Sequence, residues 1–228
     1  MAPRFRIALC QQTQRETHFG AIYLLKPLSV CYNEIKIDCY ICVVGKIVPI
    51  SYHMIFQKEY TGSLDKYGGL PTHLPAQWPQ MDEENLTFLF QLYCDGKKLN
   101  IPDTLCIQGY QLIKDGDFLS DIVVVQIPMH AKRNIGNTGL AFYPDGDICF
   151  QEVMEQTTYD MDTDFDTWWN TGVPFSKLSG WCDREIIPPG HKFLGWFRDE
   201  NPFCIGAGYN CCLFLSPDGA VITSHHRP

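Results

Sequence analysis

Basic residues are scarce in this chain of 228. Lys and Arg total 18 against 26 Asp and Glu, a formal charge of −8. That balance disfavours a general nucleic-acid binder and an anionic membrane surface as partners. Long apolar runs are missing as well. The longest, Cys39-Tyr-Ile-Cys-Val-Val44, is a strand's length, well short of the about 20 residues a spanning helix needs. The first apolar stretch stops at Gln11-Gln12, before the roughly 7–15 residues of a signal peptide's apolar core, and Leu9 is too large for a lipoprotein cleavage site before Cys10. These absences predict a soluble, cytoplasmic protein. Charged residues make up 19% and hydrophobic residues 45%, a composition that folds rather than one that stays disordered.

Sequence signatures of catalysis are absent too: there is no Gly-x-Ser-x-Gly elbow, no Walker loop and no His-Glu-x-x-His. Asp160-Met-Asp-Thr-Asp-Phe-Asp166 has the alternating acids of a calcium loop. Phe165 stands where that loop needs Gly, and Thr171 where it needs Glu, so calcium is not expected. Cysteine is the exception to scarcity, with 11 residues, an odd number, scattered along the chain. Without an export signal they read as reduced thiols packed as small hydrophobes. Cys39 and Cys42 are three apart in a strand pattern, which sends them to opposite faces and denies them a shared zinc. Cys204, Cys211 and Cys212 with His225 and His226 form no metal-ligand spacing, and the two histidines are expected in a disordered tail. No metal and no other cofactor is expected.

What is present is β-structure. Ile35, Ile37, Cys39, Ile41 and Val43 alternate at period two, predicting a half-buried strand whose partner follows Gly45. Short runs at Leu86–Leu92, Ile122–Ile127, Leu140–Tyr143 and Cys211–Leu215 predict further strands. Phe142-Tyr-Pro-Asp-Gly-Asp-Ile-Cys-Phe150 and Phe214-Leu-Ser-Pro-Asp-Gly-Ala-Val-Ile222 share a Pro-Asp-Gly turn between apolar flanks, predicting two similar hairpins and hinting at internal duplication. Short helices are expected within 160–169 and 175–181. The expected fold is therefore a β-rich α+β domain of antiparallel sheets and hairpins with few peripheral helices. It spans 1–228 as one domain, or as two β-rich halves of about 1–130 and 131–228.

The segment Tyr67-Gly-Gly-Leu-Pro-Thr-His-Leu-Pro-Ala-Gln-Trp-Pro79, followed by Leu86-Thr-Phe-Leu-Phe-Gln-Leu92, resembles the YwqG-like (DUF1963) family of bacterial cytoplasmic proteins. In physical terms the two glycines permit a turn, the prolines keep the loop extended, and Trp78 pins it to the strand carrying Phe88, Phe90 and Leu92. Gly190-His-Lys-Phe-Leu-Gly-Trp196 is similar to a later segment of the family, although the Gln that usually follows is missing. The strand Val123–Ile127 and the return Gly139–Phe142 resemble the family's second Gln-bearing strand and its Gly-rich return. The resemblance implies a mostly β, internally duplicated, intracellular fold. It also implies, for some members, a role as immunity partner of a bacterial toxin.

The charge distribution points to a binding surface. The 43 residues Asn134–Ser176 contain no Lys or Arg but eight acids: Asp145, Asp147, Glu152, Glu155, Asp160, Asp162, Asp164 and Asp166. The rest of the chain balances at 18 against 18, since 26 less 8 is 18. On a strand, Asp160, Asp162, Asp164 and Asp166 share one face, with Trp168 and Trp169 as neighbouring anchors. The leading expectation is a non-enzymatic module that binds a basic protein surface, as an immunity protein would when occluding a cognate toxin. The rival is an enzyme or small-ligand binder with a pocket between the halves, lined by Trp78, His191 and Trp196.

Overall fold

A computed structural model describes residues 24–32, 35–43, 49–155, 176–180, 182, 184–198 and 210–226. The chain forms two compact units, Met1–Ile47 and Val48–Pro228. In the first, β1 (Leu24–Tyr32) and β2 (Ile35–Val43) pair antiparallel, with Tyr32 opposite Ile35. The alternating segment is thus a strand, but its partner precedes it instead of following Gly45. Only two residues separate β1 from β2, and so short a loop costs least to close. Cys39 and Cys42 both lie in β2.

The second unit is built from short antiparallel strands. The first of these are β3 (Ile50–Phe56), β4 (Lys66–Tyr67), β5 (Gln80–Met81), β6 (Glu84–Asn85), β7 (Thr87–Tyr93) and β8 (Thr104–Gln111). There follow β9 (Ile113–Lys114), β10 (Asp117–Phe118), β11 (Val123–Pro128), β12 (Gly146–Met154), β13 (Lys177–Ser179), β14 (Lys192–Arg198), β15 (Asn210–Leu215) and β16 (Val221–His226). Ten of them form one sheet in the order β11-β8-β7-β4-β12-β3-β13-β14-β15-β16. The sheet curls until its two edge strands lie side by side. Gln126 of β11 bonds Gly219 O and Val221 N, and the Thr223 hydroxyl of β16 donates to Ile122 O at 2.8 Å. The seam is closed by side chains rather than by a backbone ladder.

Inside the curl lies the main core, including Met54, Tyr67, Phe90, Leu92, Ile107, Ile148, Leu178, Phe197 and Leu213. Each contributes about 1.5–3 kcal/mol by leaving water. Phe90 stacks on Phe197 with centroids 4.1 Å apart. A bulge around Leu89 changes the parity of β7, so Phe88 opposes Tyr110 whereas Phe90 opposes Gly109. Trp78 is pinned to this strand as expected, at its Leu86–Phe88 end. Trp78 joins Leu86, Phe88 and Tyr110 in one cluster, and Phe90 and Leu92 belong to the main core.

Strand-rich antiparallel architecture is as expected, and several finer expectations are not. Among the described residues the one helical element is a single 3-10 turn, Arg184–Ile186. The described part of 175–181 holds strand β13, and 160–169 lies outside the described residues. Of the two Pro-Asp-Gly segments, only Ser216–Ala220 turns a hairpin, with Gly219 at φ +88°. Gly146 instead opens β12, where a Cβ would lie 2.3 Å from Gln57 O and 2.4 Å from the Tyr67 ring; its glycine serves close approach. The duplication therefore finds no support, and one sheet runs through position 130. Leu140–Tyr143 forms no strand beyond an Ala141 bridge to Phe88. His225 and His226 belong to β16, not to a disordered tail. Among the described residues no helix is long and apolar enough to cross a membrane.

Candidate functional site

Two rows of polar side chains cross the sheet on the side opposite its core. Directly opposed residues of neighbouring strands share a face. Gln108, Gln91, Lys66 and Asp147 oppose one another in turn across β8, β7, β4 and β12, and all four are buried. Their partners come mostly from the loop that covers them. Gln91 Nε2 donates to Leu64 O at 2.8 Å and lies 2.7 Å from the Thr72 hydroxyl. Gln91 Oε1 accepts from Gln108 Nε2 at 2.9 Å, and the same Nε2 donates to His73 O at 2.9 Å. Tyr110 OH donates to Gln108 Oε1 at 2.6 Å. Lys66 Nζ donates to Leu70 O at 2.8 Å, contacts Asp145, and sits 4.2 Å from the Tyr60 ring centroid. The Asp147 carboxylate accepts from the Thr61 hydroxyl at 2.6 Å and from its backbone N–H at 3.1 Å. Gly68 and Gly69 both have positive φ, and a Cβ on Gly68 would lie 2.0 Å from Pro144 O. The row is a latch: buried amides and an ammonium hold residues 64–73 to the sheet, because leaving them unpaired would cost several kcal/mol.

The second row runs from His53 on β3 through Lys177 on β13 to Trp196 on β14. Lys177 Nζ donates to Glu155 Oε1 at 2.5 Å and lies 4.7 Å from the Trp196 ring centroid. Both ionic partners are buried, and burial lowers the pKa of Lys177 although Glu155 opposes that shift. Burial, then the neighbouring Lys177, also lowers the pKa of His53, so its imidazole is neutral at pH 7. Glu155 and Lys177 stand at the two ends of the stretch 156–176. Those flanks are fixed on β3: Glu155 N donates to Pro49 O and Met54 N to Ser176 O, each at 2.9 Å.

The described acids of the Lys- and Arg-free segment are already engaged. Asp145 meets Lys66, Glu152 meets Lys97 at 2.6 Å, Glu155 meets Lys177, and Asp147 is held by Thr61. The charge imbalance of Asn134–Ser176 thus overstates the field of its first half. Asp160, Asp162, Asp164, Asp166, Trp168 and Trp169 lie outside the described residues.

Trp78, His191 and Trp196 occupy three different settings. Trp78 donates from Nε1 to Leu86 O at 2.8 Å and packs edge-on against Tyr110. His191 follows a turn, its Nδ1 3.0 Å from Pro189 O. Trp196 covers Lys177 and packs against Phe193. Cys94, Cys106, Cys149, Cys211 and Cys212 are free thiols. Burial pushes the thiols of Cys94, Cys106 and Cys212 up to about 12, which leaves them poor nucleophiles. Among the described residues no three His, Cys, Asp or Glu side chains gather as metal ligands.

Sequence reasoning missed Lys66 and Lys177, and it saw Glu155 as charge without its partner. A signal existed for the first row, since Gln91 stands alone in the apolar run Phe88-Leu-Phe-Gln-Leu92 and a lone amide in a buried strand needs partners. Comparison with known protein families, with curated proteins and with solved structures finds nothing that matches this chain.

Proposed function

We propose that the chain is a non-catalytic, protein-binding β-module of the cytoplasm whose acidic segment meets a basic surface on its partner. A cognate toxin neutralised by occlusion is the partner that the resemblance to YwqG-like proteins suggests. The observation that carries this reading is the division of the acids. Asp145, Asp147, Glu152 and Glu155 are absorbed by the molecule's own groups. Asp160, Asp162, Asp164 and Asp166 belong to a stretch with no Lys or Arg of its own. The residues that flank that stretch, Glu155 and Lys177, pair with each other. Acids in such a stretch act through long-range attraction, raising association rate and choosing partners of opposite potential. Trp168 and Trp169 supply large side chains of the kind that anchor interfaces. The raised thiol pKa values of Cys94, Cys106 and Cys212 favour this reading over nucleophilic catalysis by those residues.

The test is to capture the partner from native cells with the full chain and measure association by stopped flow over a salt series. Replacing Asp160, Asp162, Asp164 and Asp166 by lysine is expected to slow association about tenfold or more at low salt and flatten the salt dependence. An unchanged rate and salt slope overturns the assignment.

A further inference from the structure

Strand β12 is fully laddered on one side and nearly bare on the other. Toward β3 its register runs unbroken from Ile148 opposite Phe56 to Met154 opposite Ile50. Asp147 O accepts from Gln57 N at 2.8 Å and Glu155 N donates to Pro49 O at 2.9 Å, so the odd-numbered residues turn their backbone groups toward β3. The even-numbered residues turn theirs away. On that side β4 pairs with Gly146 and Asp147 alone, and Ile148 N donates to Asp65 O at 3.0 Å. Past this point, among the described residues, no strand flanks Phe150, Glu152 and Met154, and no backbone group bonds theirs.

This edge lacks the features that usually blunt one. It contains no proline and no bulge between Ile148 and Met154. Its single charge there, Glu152, is engaged by Lys97, but that pair is exposed and weak. Met154 is 75% exposed and its cross-strand neighbour Ile50 41%, so apolar surface lies beside the open backbone. Main-chain groups presented in this way supply affinity to an extended segment, and the side chains flanking them supply selectivity.

We propose that the Phe150–Met154 edge takes an extended segment of the partner protein as an added strand, with a Lys or Arg of that segment facing Glu152. The inference rests on the protein-binding reading above and assigns it a second point of contact. Charge decides the occupant. A second copy of this chain, paired antiparallel about the middle of the edge, would set Glu152 against Glu152, and like charges directly opposed destabilise a sheet. A cationic segment meets Glu152 favourably and displaces only the exposed Lys97 ammonium.

Residue-resolved amide exchange on the full chain tests this, with the peptide acetyl-(Lys-Val)4-amide as probe. In the free protein the amides of Phe150, Glu152 and Met154 are expected to exchange at least about tenfold faster than those of Cys149, Gln151 and Val153. Millimolar peptide is expected to slow the first set about tenfold or more and leave the second unchanged. A peptide N-methylated at every residue, equally charged but with no backbone N–H on either edge to form the ladder, is expected to have no effect, and Glu152→Lys is expected to abolish the protection. Protected even-numbered amides in the free protein, no protection by the peptide, or equal protection by its methylated form would each overturn the proposal. Those failures would leave the acidic-segment reading standing. Loss of the charge-reversal effect with edge protection intact would remove that reading alone.

Discussion

Gln126 on β11 grips Val221 on β16 across the seam of the curled sheet. Its Oε1 accepts the Val221 N–H at 2.9 Å while its Nε2 donates to Gly219 O at 3.0 Å. One amide side chain thus replaces two ladder bonds where the sheet's edges meet. Removing it leaves a partly buried donor and acceptor without their bond, at about 1–3 kcal/mol. Gln126→Ala is therefore expected to lower the urea midpoint with little change in slope and to speed exchange of the Val221 amide. Gln126→Glu keeps the acceptor and loses the donor, and is expected to fall between the two. An Ala variant as stable as the parent would show that the seam is held elsewhere.

The seam also shows where sequence reasoning stops. The period-two run at 35–43 and the short apolar runs at 86–92, 122–127 and 211–215 were legible, because β-branched or aromatic residues are concentrated there, and each overlaps a strand. Lys177–Ser179 was not, since three residues are too few to display a period. Gly146 read as a turn residue because Pro-Asp-Gly is turn chemistry, yet the Tyr67 ring needs the space a side chain would fill. The acids of 134–176 were legible as charge but not as pairs. Glu152 meets Lys97 from 55 positions away and Glu155 meets Lys177 from 22, distances over which a single sequence carries no pairing information. Gln91 hinted at the latch, whereas its partner Gln108 is defined only by the sheet register and Thr72 only by the path of the covering loop.

The Lys177–Glu155 pair gives a sharper energetic test than any surface bridge. Both groups are buried, so removing the Glu155 carboxylate strands the Lys177 ammonium in a poorly solvated place, at roughly 3–5 kcal/mol. Glu155→Leu should destabilise the protein by about that amount. Adding Lys177→Met should restore much of the loss, because the buried ammonium is then gone as well. Equilibrium unfolding of the single and double variants checks this, and strictly additive losses would contradict it.

At Gly68 the prediction concerns backbone and space together. Its φ of +61° suits glycine, and a Cβ would collide with the Pro144 carbonyl, which is backbone and cannot swing aside. Gly68→Ala is expected to cost about 3 kcal/mol or more, summing left-handed strain and overpacking. Gly96 has φ +77° but open space around its Cβ position. Gly96→Ala should therefore cost only the conformational part, about 1 kcal/mol. Similar melting temperatures for the two variants would refute the steric argument.

Acidification should weaken the fold through His53. Burial and the adjacent Lys177 hold its pKa below the ordinary 6.5, against a smaller upward pull from Glu155. Below pH 6.5 the unfolded chain therefore binds a proton that the folded chain refuses, and stability declines until the folded value is reached. His73, lowered by burial and by Arg133, acts in the same direction, so His53 accounts for only part of the slope. Asp65, whose pKa is raised chiefly by burial, acts in the opposite sense, because its proton helps the folded state. Unfolding free energies between pH 7.5 and 5.5 keep mainly to the histidine range and above that of ordinary carboxylates. Over that interval the parent is expected to lose stability, and His53→Gln should lose less because a neutral amide has no proton to refuse. An equal loss in both proteins would place the acid sensitivity at another group.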